Sequence, residues 1–154
     1  MTGDSTPTVT VIPGGSLTVT PTGMSYGSRA AGINIPYTEG GGHKVAVTVS
    51  TNCTTWDVKC SSSPQVLTSG SDTIPSANFI YSSVRISGTP TNPITYGPLE
   101  FGSVGSPSNV VTTPATPAAA DTLLVDVRYD LTIGSTQAAA TGYTSTHTYT
   151  LTAS

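Results

Sequence analysis

Charge is scarce in this chain. Only 8% of its 154 residues are Asp, Glu, Lys or Arg, against about 25% in an ordinary soluble domain. The net charge is -3, so there is no basic footprint for a phosphate backbone or an anionic bilayer, and nucleic acid is excluded as a partner. No apolar run approaches the roughly 18 residues that a membrane-spanning helix needs, which predicts no membrane span. The opening twenty residues, MTGDSTPTVTVIPGGSLTVT, lack a basic stretch followed by an apolar one. They predict no signal peptide at this N-terminus: one has been trimmed, or the protein leaves its cell another way, as a virion component would.

Groups for catalysis are few. There are two histidines. His43 follows a run of glycines at a turn, and His147 sits inside an alternating Thr-rich run, where a partly buried strand residue bonded to a hydroxyl is expected. No G-x-S-x-G context accompanies either one. The eight carboxylates form neither a glycosidase pair nor a calcium loop. Asp72, in SGSDT, is a weak candidate for a loop-bound cation, and an Asx-turn is the simpler role. The reading is therefore a non-enzyme with no catalytic residue and no cofactor.

Cysteine is equally sparse. Cys53 and Cys60 are separated by a spacing that fits no zinc pattern. Two readings stand: a Cys53–Cys60 disulfide, which is favoured and would imply an oxidising compartment, and two free thiols in the core. Seven residues of extended strand cover about 23 Å, whereas bridged Cα atoms lie within about 7 Å. The disulfide thus requires the chain between them to fold back or bulge. Asn52-Cys53-Thr54 also matches the glycosylation acceptor pattern, a weak signal.

What the chain does have is hydroxyl: Ser and Thr make up 49 of its 154 residues. A surface of this kind is wettable with little charge repulsion, and it suits a molecule that packs against copies of itself. Helix patterns are nearly absent, while period-2 alternation recurs. Val9 and Val11 share a face, as do Leu17 and Val19, Val45, Val47 and Val49, and Trp56 and Val58. The clearest run is DTLLVDVRYDLTI, with Leu123, Val125, Val127, Tyr129, Leu131 and Ile133 on the buried side. Asp126, Arg128 and Asp130 on its other side predict a small exposed row of ion pairs. The phase of FIYSSVRI slips, which predicts a bulge near Ser82–Ser83. The run 123–133 and the closing run TGYTSTHTYTLTAS predict an antiparallel hairpin with a long loop. The proline-rich stretch between the middle and late strands predicts long loops with short strands near Ile94–Tyr96, Leu99–Phe101 and Val110–Thr112, its prolines blocking sheet edges.

These patterns predict an all-β fold, an Ig-like, Greek-key β-sandwich of about seven to nine strands. Residues 1–14 form an N-terminal strand segment and residues 15–154 the sandwich. Trp56 is expected to anchor the core.

Three stretches, KVAVTVSTNCTTWDVKCSSS, LTSGSDTIPSANFIYSS and VDVRYDLTIGSTQAAATGYTSTHTYTLTA, resemble secreted prokaryotic β-sandwich surface domains, among them WxL-like wall-associated domains and camelysin-like or spore-coat-U-like fibre subunits. The resemblance implies an extracellular or cell-surface location and a structural or adhesive role, and it supplies no catalytic residue.

Together these readings predict a structural subunit of an extracellular filament or surface layer. Its N-terminal strand, with Val9, Val11 and Ile12 as donor residues, would add to the open sheet edge of the next copy, so the partner is self, as a homopolymer. The alternatives are a monomeric adhesin or carbohydrate-binding module, with a glycan held on Tyr26, Tyr37, Tyr96 and Tyr143, and a virion decoration protein.

Overall fold

The computed structural model describes residues 3–11, 14–100, 107–114 and 121–154. Strands are numbered in chain order. One sheet, here sheet A, contains β1 (Gly3–Val11), β3 (Met24–Ser25), β6 (Trp56–Ser69), β7 (Asp72–Ile74), β9 (Ile94–Thr95), β11 (Ser108–Thr112) and β13 (Tyr143–Ala153). Sheet B contains β2 (Gly15–Thr20), β4 (Asn34–Ile35), β5 (Lys44–Thr51), β8 (Phe79–Thr89), β10 (Leu99–Glu100) and β12 (Asp121–Thr132). Sheet A runs β3-β1-β13-β6-β11-β9, with β7 beside β6; sheet B runs β10-β8-β12-β5-β2, with β4 beside β12. The fold is an all-β sandwich. Pairing is antiparallel except between β1 and β13, which are parallel.

Alternation explains the layers. Val45, Val47 and Val49 of β5 face Leu123, Val125, Val127, Tyr129 and Leu131 of β12 within one apolar surface, and all are buried. From sheet A come Trp56, Val58 and Cys60 of β6 and Tyr143, Tyr149 and Leu151 of β13. At the centre the Tyr129 and Tyr149 hydroxyls meet and bridge the sheets. The Phe79 ring stacks on Tyr129 with centroids 5.6 Å apart. Trp56 is buried as expected.

Strand order matches an Ig sandwich, in which one sheet runs A-B-E-D and the other C-F-G. Here β2, β5, β12 and β8 take the places of A, B, E and D. In sheet A, β6 and β13 take the places of C and F. The place of G, beside F, is filled by β1.

Three sequence expectations give way. β12 and β13 are not a hairpin: β12 is flanked by β8 and β5 along most of its length, so it has no free side, and the chain crosses to sheet A instead. The slip in β8 lies further on than Ser82–Ser83. Leu124 pairs with Ser87 and Val125 with Arg85, so the additional residue is Ile86, while Ser83 keeps a buried position. The proposed row of exposed ion pairs is replaced by contacts to other segments. Buried Asp126 bonds Lys44 at 2.7 Å, Arg128 bonds Glu39 at 2.9 Å, and Asp130 accepts the Tyr37 N–H at 2.5 Å.

The two flanks of the sandwich are closed differently. On one, a strap containing β9 and β10 passes from sheet A to sheet B. Ser83 holds it: its N–H donates to the Tyr96 carbonyl at 2.6 Å, and its hydroxyl accepts the Tyr96 N–H at 2.8 Å and donates to the Val110 carbonyl. Pro90, Pro93 and Pro98 border the strap, and prolines cannot donate to a further strand. Ser83→Ala removes all of the hydroxyl's bonds and is expected to lower stability by about 1–3 kcal/mol, read as a lower urea midpoint with an unchanged slope. The opposite flank is closed by β1 and β2.

Candidate functional site

The side chains with chemistry to offer are dispersed. His147 is fully buried, tilted against Tyr129 and Phe79 with ring centroids 5.8 and 5.7 Å away. Burial lowers its pKa to about 4, so the ring is neutral at ordinary pH. His43 is buried too and stacks on Tyr26 at 4.3 Å; burial, then the charge of Arg29, lowers its pKa.

The four tyrosines expected to face a ligand do not form a platform. Tyr26 is 2% exposed and Tyr143 0%, so both belong to the core. Their rings complete the buried rows of the strands they adjoin, and the Tyr143 hydroxyl donates inward to the Ala138 carbonyl at 2.7 Å. Tyr37 is half-buried beneath the Arg128 guanidinium, 4.7 Å from its ring. Tyr96 is half-buried in the strap, its hydroxyl 3.2 Å from that of Thr112. Asp72 ends the β6–β7 hairpin, opposite Ser69. It lines an open cleft of about 450 Å³ with Thr73, Asn78, Thr136 and Gln137, where it is the one carboxylate. Among the described residues no three His, Cys, Asp or Glu side chains group to hold a metal ion.

The expected disulfide is absent: Cys53 and Cys60 are free thiols. The chain does not fold back between them. Cys53 sits in the turn before β6, and Cys60 lies within β6, facing the core. The straight stretch from Trp56 to Cys60 spans about 13 Å, so it carries the second sulfur away from the first. Burial raises the Cys60 pKa far above that of an ordinary thiol. In the native protein one thiol, Cys53, is expected to react with a disulfide reagent at pH 8. Cys60 should react only after denaturation. Mass spectrometry of the alkylated native and unfolded protein checks both statements.

What the structure does bring together is the flank at β1. Its register on β13 runs unbroken from Gly3 opposite Tyr143 to Val11 opposite Leu151, with Pro7 opposite His147 and Val9 opposite Tyr149. Alternate residues of β13 from Tyr143 to Leu151 are buried. In a parallel ladder, register partners share a face. Gly3, Ser5, Pro7, Val9 and Val11 are the register partners of those alternate residues, and two of the five are large and apolar. The Thr8 and Thr148 hydroxyls are 2.6 Å apart on the outer side. On its other edge β1 meets β3 only at Asp4 and Ser5. Ile12, the third expected donor residue, lies outside the described residues.

Past that point the chain enters sheet B at Gly14. The Gly14 carbonyl accepts the Thr51 hydroxyl at 2.7 Å and the Asn52 N–H at 3.4 Å, and the Cys53 sulfur is 3.7 Å away. The sequence pattern gives no sign of these partners, which come from a segment far along the chain.

No known family's sequence pattern matches this chain, and no curated protein matches it.

Proposed function

We propose that the protein is a structural subunit that assembles with copies of itself by strand addition. The N-terminal strand of one copy takes the place of β1 on the next, and the product is an extracellular filament or surface layer. One observation carries this reading: the seventh position of the Ig sandwich, beside the last strand, is filled by β1, which pairs in parallel with β13 along its whole length. A strand that pairs along one full edge and contributes few apolar residues can be exchanged between copies with the same ladder re-formed. The same ladder forms in trans as in cis. Main-chain bonds supply affinity and alternate side chains supply register. A head-to-tail exchange does not close, so it propagates.

Composition supports the same reading. The hydroxyl-rich, low-charge surface permits close lateral packing. The free cysteines withdraw the disulfide as a reason for an oxidising compartment, so the surface location rests on this composition and on the resemblance to surface-domain fibre subunits. With Tyr26 and Tyr143 in the core, a glycan-binding face has lost half of its aromatic residues.

Electron microscopy and sedimentation of the concentrated full chain test the proposal. Filaments or head-to-tail oligomers are expected. A synthetic peptide of residues 3–11, in excess, should shorten them by occupying the β13 edge. A monomer at every concentration would overturn the reading.

A further inference from the structure

A sheet edge is a row of backbone N–H and C=O groups that another strand can take up, and folded proteins blunt such edges with short strands, prolines and charge. Most edges here are blunted in this way. β3, β9 and β10 are two residues long each and β7 three. Pro75 follows β7, and Pro93 and Pro98 precede β9 and β10. β1 meets β3 at Asp4 and Ser5, and beyond them it carries Pro7, which has no N–H to give. β2 is the exception. It ends sheet B, pairs with β5 over all six residues from Gly15 to Thr20, and among the described residues no strand takes its other edge. β1 lies on the same flank but bonds β13 and β3 instead. The sequence of β2, GSLTVT, holds neither a charge nor a proline. Its Leu17 and Val19 are buried, while Ser16, Thr18 and Thr20 are exposed.

We propose that the free edge of β2 docks the β2 of a second copy, the two strands running antiparallel about a two-fold axis so that sheet B continues across both molecules. A two-fold pair sets a strand against itself, so any charge near the axis would meet the same charge. A strand of hydroxyl and aliphatic residues escapes that penalty. With Thr18 on the axis, Ser16 stands opposite Thr20 and Leu17 opposite Val19. Hydroxyl then meets hydroxyl on the outer face, a favourable cross-strand pair, and apolar meets apolar on the core side. Such a contact uses the same patch on both partners and closes at two, whereas head-to-tail addition of β1 propagates. The pairing goes beyond the strand-addition reading and stands without it; where both operate, filaments are joined side by side.

The test separates the two contacts. In the full chain, Thr8→Cys with Thr148→Cys in a Cys53→Ser background, oxidised while dilute, fixes β1 on its own β13, where the parent hydroxyls are 2.6 Å apart. Head-to-tail exchange is then blocked and the β2 edge stays free. Sedimentation equilibrium of these locked single chains should show dimers that grow no further. Thr18→Lys, which sets like charges face to face, should weaken the dimer at least about tenfold. Ser50→Lys is the control: Ser50 is exposed, pairs with Ser16 and lies one strand in from the edge. It should leave the dimer unchanged. Thermal melts establish that both variants fold. Locked chains that stay monomeric at every concentration overturn the pairing, as does a dimer that both lysines weaken equally or that Thr18→Lys leaves intact. If unlocked chains form filaments while locked ones stay monomeric, the β2 pairing falls and strand addition stands. If locked and unlocked chains both stop at two, strand addition falls and the β2 pairing stands.

Discussion

Lowering the pH from 7 to 4 is expected to cost the fold about 3 kcal/mol through His147 alone. The imidazole has no exposed surface and is enclosed by Phe79 and Tyr129. Burial penalises its charged form and lowers its pKa from 6.5 to about 4. Between those two values the unfolded chain binds a proton that the folded chain refuses. Stability therefore rises with pH across that window and falls on acidification, by at most about 1.4 kcal/mol per pH unit. The lowered pKa of His43 acts in the same direction. Urea unfolding at a series of pH values measures the slope. His147→Leu, similar in size and without a proton to gain, should flatten most of it. A variant as acid-sensitive as the parent would show that the charge penalty lies elsewhere.

Tyr149→Ala should be the most damaging single truncation described here. Tyr149 is fully buried on β13, and its hydroxyl meets that of Tyr129 on β12 across the sandwich. Removing the ring opens a cavity between two sheets, each stiffened by its own backbone ladders, so the site collapses only in part. Losses of about 3–5 kcal/mol follow from comparable aromatic truncations, out of a total of about 5–15 kcal/mol for a domain. A melting temperature lower by roughly 10–15 °C is expected for a chain of this length. Tyr149→Phe keeps the ring and removes the hydroxyl's contacts with Tyr129 and the Cys60 thiol, and should cost about 1–3 kcal/mol. Thr152→Ala, next to Leu151 on β13 and exposed, should stay within about 0.5 kcal/mol. Thermal melts of the three variants check the order.

Much of the fold was legible because burial on one side of a strand leaves a period of two in the sequence. The apolar face of β12 and the row on β5 are read directly from Leu123–Ile133 and Val45–Val49 and are buried as expected. Trp56 was legible for the same reason; the short strands β9 and β10 are exposed on both residues, and only the prolines around them marked the stretch. The far half of β6 was not. Its residues Ser61–Gln65 are half-buried or exposed, so no apolar alternation marks them, and tertiary pairing with β13 makes them strand. Pairing partners were also hidden, since alternation fixes a face and not a neighbour; hence the hairpin that was expected between β12 and β13. The cysteines misled because spacing constrains a disulfide without showing which way each sulfur points. Tyr26 and Tyr143 misled because a hydroxyl makes tyrosine suitable for a wet surface and for a core bond alike. The bond from Thr51 to the Gly14 carbonyl was invisible: Thr51 looks like any other threonine until Gly14 is brought beside it.

The register of β1 on β13 allows the central claim to be measured. Thr8 and Thr148 are partners on adjacent strands with hydroxyls 2.6 Å apart, and neighbouring strands lie about 4.8 Å apart, within disulfide reach. Thr8→Cys with Thr148→Cys, in a Cys53→Ser background, is concentrated, oxidised and run on a denaturing gel without reductant. Strand addition between copies predicts a ladder of covalent multimers that grows with concentration. Complete disulfide formation within single chains at every concentration, with no ladder, would contradict the account.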